Sequence, residues 1–149
     1  MSAPIMPQSV TASRRGTPVR ARVAAGTALL LSLLPPAAIC RILTQVVRGT
    51  RTPTPAEVLE WRDAVNRVST RCAGNGCLQR SIAVVLLSRM FGAAPVWRTG
   101  FRPAPFAAHA WVAIGDTPIG EPAAVGHFLT VLEVVPRHRA SPVAEKRSS

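Results

Sequence analysis

Two residues of this chain have the types and placement to form a nucleophile and its base. Cys77 follows the glycine-rich break Cys72-Ala73-Gly74-Asn75-Gly76 and opens an apolar run to about Phe91. Where a flexible loop enters a helix, the first turn carries unpaired backbone N–H groups and roughly half a positive charge. A thiol placed there gives up its proton below the usual ~8.5 and becomes a nucleophile. The same donors, the cysteine's own amide among them, can hold the oxyanion that forms during acyl transfer. Gly74 and Gly76 leave room for a substrate backbone. His109 supplies an imidazole in Ala108-His109-Ala110-Trp111-Val112, a strand-like stretch that folding can bring to the thiol. Strand alternation puts His109, Trp111 and Ala113 on one side and the apolar Ala110, Val112 and Ile114 on the other. The second set is expected to face the core, and His109 and Trp111 the cleft.

A third group has to orient the imidazole. Asp116, in the turn after the histidine strand, and Glu121, at the start of the next segment, are the candidates. Asp116 reads as a turn former, whereas Glu121 sits where a return strand would run back beside His109, so Glu121 is the choice. Arg80, about one turn into the cysteine helix, Phe106, at the head of the histidine strand, and Trp111 are the expected substrate contacts. Cys72, Cys77, His109 and His127 match no common zinc spacing. No metal and no cofactor are expected. His127 reads as structural, His138 as a tail residue, and Trp61 and Trp97 as core.

These residues need elements to position them. Residues 1–22 carry Pro, Ser, Thr and Arg without periodicity and read as a disordered basic lead-in. Val23 to Ile39 is apolar, and with Ser13-Arg14-Arg15 ahead of it hints at an export signal or anchor. Pro35-Pro36 cut that run after about twelve residues, short of the ~20 that span a bilayer. The favoured reading is a short buried or interface helix, with membrane contact by residues 23–39 as the lesser one. Arg41 to Arg51 reads as a second basic helical stretch. Thr54-Pro55-Ala56-Glu57 is a capping box with proline in the first turn, and it starts an amphipathic helix to about Ser69. The cysteine helix, apolar around most of its circumference, is expected to be the central buried one. Strands are expected over 94–99, 108–114 and 128–135, with turns at Gly100, Gly115-Asp116 and Gly120. Residues 137–149 read as a disordered basic tail. Helices first and strands after predict an α+β fold: one domain over 23–136, with an N-terminal helical region over 23–70 and the cysteine helix packed on an antiparallel sheet.

With 149 residues, 48% of them hydrophobic, the chain can bury a core without disulfide or metal staples. Three cysteines without framework spacing suit reduced thiols and a cytoplasmic protein. The 18 Lys and Arg against 7 Asp and Glu give a formal charge of +11. Such a field attracts nucleic acid, acidic lipid or acidic peptide without choosing among them.

Cys77-Leu78-Gln79-Arg80-Ser81, Phe101-Arg102, Pro105-Phe106-Ala107-Ala108-His109-Ala110-Trp111-Val112 and Gly120-Glu121-Pro122 together resemble the leader peptidase of lasso-peptide biosynthesis. The resemblance covers roughly residues 25 to 135. It implies a transglutaminase-like, papain-like cysteine protease fold and a Cys-His-acid triad that removes the leader from a ribosomally made precursor peptide. Cys77 and His109 carry over by motif position. The family acid falls at Glu121, where an aspartate is usual; glutamate accepts the same imidazole hydrogen bond with a longer reach. Ala113 stands where a glutamate is frequent. The family occurs fused to a small leader-recognition domain or split from it. Nothing ahead of Cys77 has the strand pattern of that domain, so the split form is expected, with a separate leader-recognition protein and a lasso cyclase as partners.

Two other classes fit parts of the sequence. A noncatalytic basic adaptor would bind membrane or nucleic acid through the arginine-rich helices, but the chain lacks aromatic stacking platforms and nucleic-acid motifs, and nucleic acid is not an expected partner. An acyl transferase would use the same Cys77–His109 pair with an amine acceptor.

Overall fold

The computed structural model describes residues 16–137. The lead-in over 1–15, His138 and the tail beyond Arg137 lie outside the described residues. The first helix, α1 (Thr17–Leu31), begins inside the segment read as unstructured lead-in. Pro18 sets the backbone of its first turn, and Ala21, Ala24 and Ala28, all fully buried, form a stripe along one side. Sequence periodicity misses this stripe because its members are small and interleaved with Arg20 and Arg22. Close approach at the alanines seats α1 against α3 (Pro55–Val68) and α5 (Cys77–Met90).

The apolar run 23–39 is two helices, not one. Ser32 closes the end of α1 by donating to the Leu29 carbonyl, Pro35 is extended, and Pro36 starts α2 (Pro36–Val46). Of the basic helical stretch expected over Arg41 to Arg51, only Arg41 to Val46 is helix, the second half of α2, which buries Ile39 and Leu43. The chain turns after Val46, and Arg51 forms an isolated bridge with Ala93. Leu30 and Leu33 remain exposed. Among the described residues no helix is long and apolar enough to cross a membrane.

At α3 the capping box forms as its residues dictate. Thr54 Oγ1 accepts from the Glu57 amide at 3.3 Å, and Glu57 Oε2 accepts from the Thr54 amide at 2.9 Å. Arg51 grips both Glu57 oxygens at 2.9 and 2.8 Å, and that bond is the first cause that lowers the carboxyl to about 2. Loss of the cap in Thr54→Ala is expected to cost ~1 kcal/mol, measured as a lowered melting temperature with activity retained. The inner face of α3 buries Val58, Trp61 and Val65, with Trp61 stacked on Phe91 at 5.8 Å. After a short turn of helix, α4 (Thr70–Ala73), the Gly74-Asn75-Gly76 loop leads into α5. That helix buries Ser81, Ile82, Ala83, Val84, Val85, Leu87 and Ser88, and it lies between α1 and α3 on one side and the sheet on the other.

The sheet is antiparallel, in the order β3 (Thr117–Pro118), β2 (Phe106–Ile114), β1 (Val96–Pro103), β4 (Leu129–Val134). The α+β architecture, helices first and an antiparallel sheet after, is the predicted one. The first strand sits later than expected, and Gly100 lies within β1 instead of in a turn. A side chain at Gly100 would strike the Leu129 carbonyl and the Trp111 ring, so glycine here serves close strand packing. The connection to β2 falls instead at Ala104-Pro105.

Both faces of the sheet are covered where β1 and β2 run side by side at Val96–Trp97 and Trp111–Ala113. Trp97, Val112, Leu132 and Val134 meet the helices in the main core, and Trp97 Nε1 donates to Ser81 Oγ at 3.0 Å. On the far face Val96, Trp111 and Ala113 pack under Val125 and Phe128, brought by the 3-10 turn Ala123–His127 and the residue after it. Ala113 and Trp111 are thus buried, contrary to the expectation that their side of β2 opens to the cleft. The second layer escapes a sequence reading because 123–128 shows no regular period.

Candidate active site

Cys77 is the first residue of α5, and among the described residues no side chain caps that end of the helix. The loop before it is tightly built. Gly76 donates to the Arg71 carbonyl at 3.0 Å, and any Cβ at Gly76 would collide with that same carbonyl. Arg80 reaches back from one turn into the helix to the carbonyls of Cys72, at 2.9 Å, and Gly74. Its guanidinium is therefore committed to holding the loop, and the charge it brings near Cys77 favours the thiolate.

Among the described residues β3 pairs only with Ala113 and Ile114, which leaves the edge of β2 near His109 free of a strand partner there. The Cys77 thiol is within hydrogen-bonding reach of His109, and the Ala110 amide also points at the sulfur. The His109 bond comes first among the influences on the thiol. Burial opposes it, and the Ala110 amide and the charges of His109 and Arg80 add to it, so Cys77 titrates below its ordinary range. His109 moves the other way, to about 9, through its bonds to Cys77 and then to Glu121. The two opposed shifts both favour the thiolate–imidazolium form of the pair.

Glu121 stands on the far side of the ring. His109 Nε2 donates to Glu121 Oε2 at 2.7 Å, which leaves Nδ1 for the thiol. The Glu121 side chain is only 3% exposed. Burial alone would raise its pKa, but the bonds from His109 and from Arg62 outweigh burial and keep it below the ordinary value. Arg62 Nη1, from α3, donates to Glu121 Oε1 at 2.5 Å. Cys77, His109, Glu121 and Arg62 thus form one line of alternating charge from the helix mouth to α3. Asp116, the other candidate acid, is solvent-exposed and meets Arg98 at 3.2 Å.

Arg62 had no motif to announce it: on the sequence it is one of several arginines on an amphipathic helix. A weak signal did exist in Gly120, beside the acid. Gly120 has φ +71, and a Cβ there would press on Arg62 Cδ and on Leu59. Gly120→Ala is expected to cost ~1–3 kcal/mol and to push Arg62 off Glu121, measured as a lower melting temperature together with slower turnover.

The expected substrate contacts are dispersed. Phe106 is exposed and lies 6.3 Å from Phe101, ring to ring, near the outer end of the cleft. Trp111 is 3% exposed and stacks behind the His109 ring at 6.1 Å, with Phe128 against both. It supports the imidazole and does not line the cleft, because the 3-10 turn covers its face of the sheet. Cys72 is buried in the main core, away from any such role. His127 closes the 3-10 turn.

A cleft of about 510 Å³ opens over Cys77 and His109. Its other walls are Ile39 of α2, Leu78, and Thr99, Phe101, Val131 and Leu132 of the sheet. A lowered thiol, an imidazolium, an ionised carboxylate behind it and an uncapped helix end are the parts needed to attack a carbonyl and hold the resulting oxyanion. Residues 21–134 match the family model of the transglutaminase-like superfamily. No curated protein and no solved structure matches the chain at a significant level.

Proposed function

The chain belongs to the transglutaminase-like superfamily, and from that premise we propose that it is a cysteine peptidase that removes the leader from a ribosomally made lasso-peptide precursor. The observation that carries this reading is the line Cys77–His109–Glu121, with His109 held at 2.7 Å by the buried acid and directed at a thiol on a helix mouth. The lasso assignment rests on the Pro105 to Val112 and Gly120 to Pro122 blocks, which resemble that family.

In this mechanism the Cys77 sulfur attacks the scissile carbonyl carbon, and the carbonyl electrons move onto oxygen, facing the first amides of α5. As the tetrahedral species collapses, the C–N bond breaks and His109 gives its proton to the leaving amine. The neutral imidazole then takes a proton from water, whose oxygen attacks the thioester. The C–S bond breaks, and thiolate and imidazolium are restored. Glu121 faces a positive ring at the start and end of the full cycle and a neutral one at the acyl-enzyme, and it fixes the ring's orientation throughout. A separate leader-recognition protein presents the precursor, and the lasso cyclase consumes the product. The chain's positive field favours an acidic leader, or the partner that bears it.

The test is to incubate the precursor with the chain and its recognition partner and to weigh the products. Hydrolysis yields two fragments that together contain one added water; amine transfer by the same pair yields a fragment joined to the acceptor instead. A precursor left intact, under conditions in which iodoacetamide alkylates Cys77 at neutral pH, would reject the peptidase reading.

A further inference from the structure

Among the described residues, the lining of the cleft is uncharged apart from the catalytic pair, in a chain with 18 Lys and Arg. Its volume lies within the ~300–1,000 Å³ of clefts that take small ligands or side chains. Among the described lining residues Thr99 offers a side-chain hydroxyl, and Ile39, Leu78, Phe101, Val131 and Leu132 are hydrocarbon.

The way Val131 arrives there is the informative detail. Regular alternation along β4 would put Val131 and Leu132 on opposite faces. The ladder between β1 and β4 slips instead: Thr99 pairs with Leu132, but the next residue, Gly100, pairs with Thr130, so Val131 is left unpaired in a bulge. Both Val131 and Leu132 consequently line the cleft. Bulges are a recurrent means of re-aiming a side chain beside an active site. Val131 is also 60% exposed, so the re-aiming adds nothing to the core. It gives the cleft a second hydrocarbon wall next to the reacting pair.

We infer that this cleft selects an uncharged, apolar substrate side chain flanking the scissile bond, with Val131 and Leu132 as specificity-determining residues. The inference rests on the reading that Cys77 attacks a peptide carbonyl. A lysine or aspartate entering the cleft would lose water and, among the described residues that line it, meet no opposite charge beyond the catalytic groups. A leucine or phenylalanine would bury its surface against Ile39, Leu78, Val131 and Leu132. The arginines must then act on the substrate, or on its carrier, outside the cleft.

Peptidyl acyloxymethyl ketones test this on the full chain, with Leu, Phe, Lys or Asp placed either next to the electrophile or one residue further away. Their attachment to Cys77 is followed by intact mass. Leu and Phe are expected to label about 10- to 200-fold faster than Lys and Asp at one of the two positions, and Val131→Glu is expected to raise Lys labelling relative to Leu. Equal rates for charged and apolar probes at both positions, or an unchanged Lys-to-Leu ratio in Val131→Glu, overturn the inference. Iodoacetamide, which carries no side chain to place, separates the two levels. If it alkylates Cys77 at neutral pH while the peptidyl probes show no preference, specificity fails and the reactive thiolate stands. If it does not react there, both fail.

Discussion

Cys77→Ala is expected to lose precursor cleavage by roughly 10⁴- to 10⁶-fold, with little change in melting temperature near neutral pH. The nucleophile has no substitute: Cys72 is buried in the main core, and Cys40 lies on α2, where burial raises its thiol pKa and so disfavours the thiolate. Cys40→Ala and Cys72→Ala should retain cleavage. Cys77 itself is only partly buried at a helix end, and alanine is a good helix former, so little packing is lost. The pH behaviour of the parent follows from the same pair. The thiolate and imidazolium coexist from the lowered pKa of Cys77 up to the His109 value of about 9, so the rate profile should be bell-shaped with its alkaline limb near 9. For stability, the His109 contribution is complete below 6.5 and is lost as pH rises through about 9. The Cys77 contribution runs in the opposite sense: it is present above 9.0 and is lost as pH falls through the lowered value. With Cys77 gone, the first cause of the His109 shift is gone too, and the alkaline decline in stability should begin at lower pH. Cleavage by Cys77→Ala at the parent rate would dispose of the mechanism.

The parts of this site that were legible in the sequence are those fixed by local chemistry. A glycine loop running into an apolar helix marked Cys77, and alternation in a short strand marked His109 and the apolar face of Val112. Glu121 could be preferred to Asp116 because a turn that reverses the chain returns the later residue toward the histidine; in the fold Asp116 points to solvent and Glu121 to the ring. What stayed hidden depended on contacts between distant segments. Trp111 alternates with the core residues and so looks available for the cleft, yet Val125 and Phe128 cover it from a stretch without periodicity. The slip that places Val131 beside Leu132 belongs to the pairing of two strands and has no trace in either alone. The early start of α1 went unseen because alanine packing through close approach gives almost no hydrophobic contrast. Arg80 looked like a substrate ligand by its position near the thiol, but unpaired loop carbonyls of Cys72 and Gly74 claim it first.

Arg62→Leu is the variant that should separate the two jobs of the buried acid, and its effect is expected on stability and on titration together. In the parent, Glu121 is 3% exposed and Arg62 18% exposed, so their bond lies largely out of water. Breaking a buried ion pair by removing one partner typically costs ~3–5 kcal/mol; His109 still faces the other carboxylate oxygen, so the lower end of that range applies at neutral pH. Turnover should fall on the order of 10²-fold, the scale of a misplacement of about 1 Å at a reacting group. The sign of the titration change is set by charge alone. Removing a cation raises the pKa of Glu121 directly, and the added negative balance favours protonation of Cys77 and His109 as well. The thiolate should therefore appear at higher pH than in the parent, so iodoacetamide should alkylate Arg62→Leu more slowly at mildly acid pH, whatever the substrate. Arg62→Lys restores the charge without the planar fork, and should recover the alkylation profile more fully than the turnover. A purely structural Arg62 would lower the melting temperature of Arg62→Leu and leave the pH profile of alkylation where it was. That outcome would confine the working site to Cys77, His109 and Glu121.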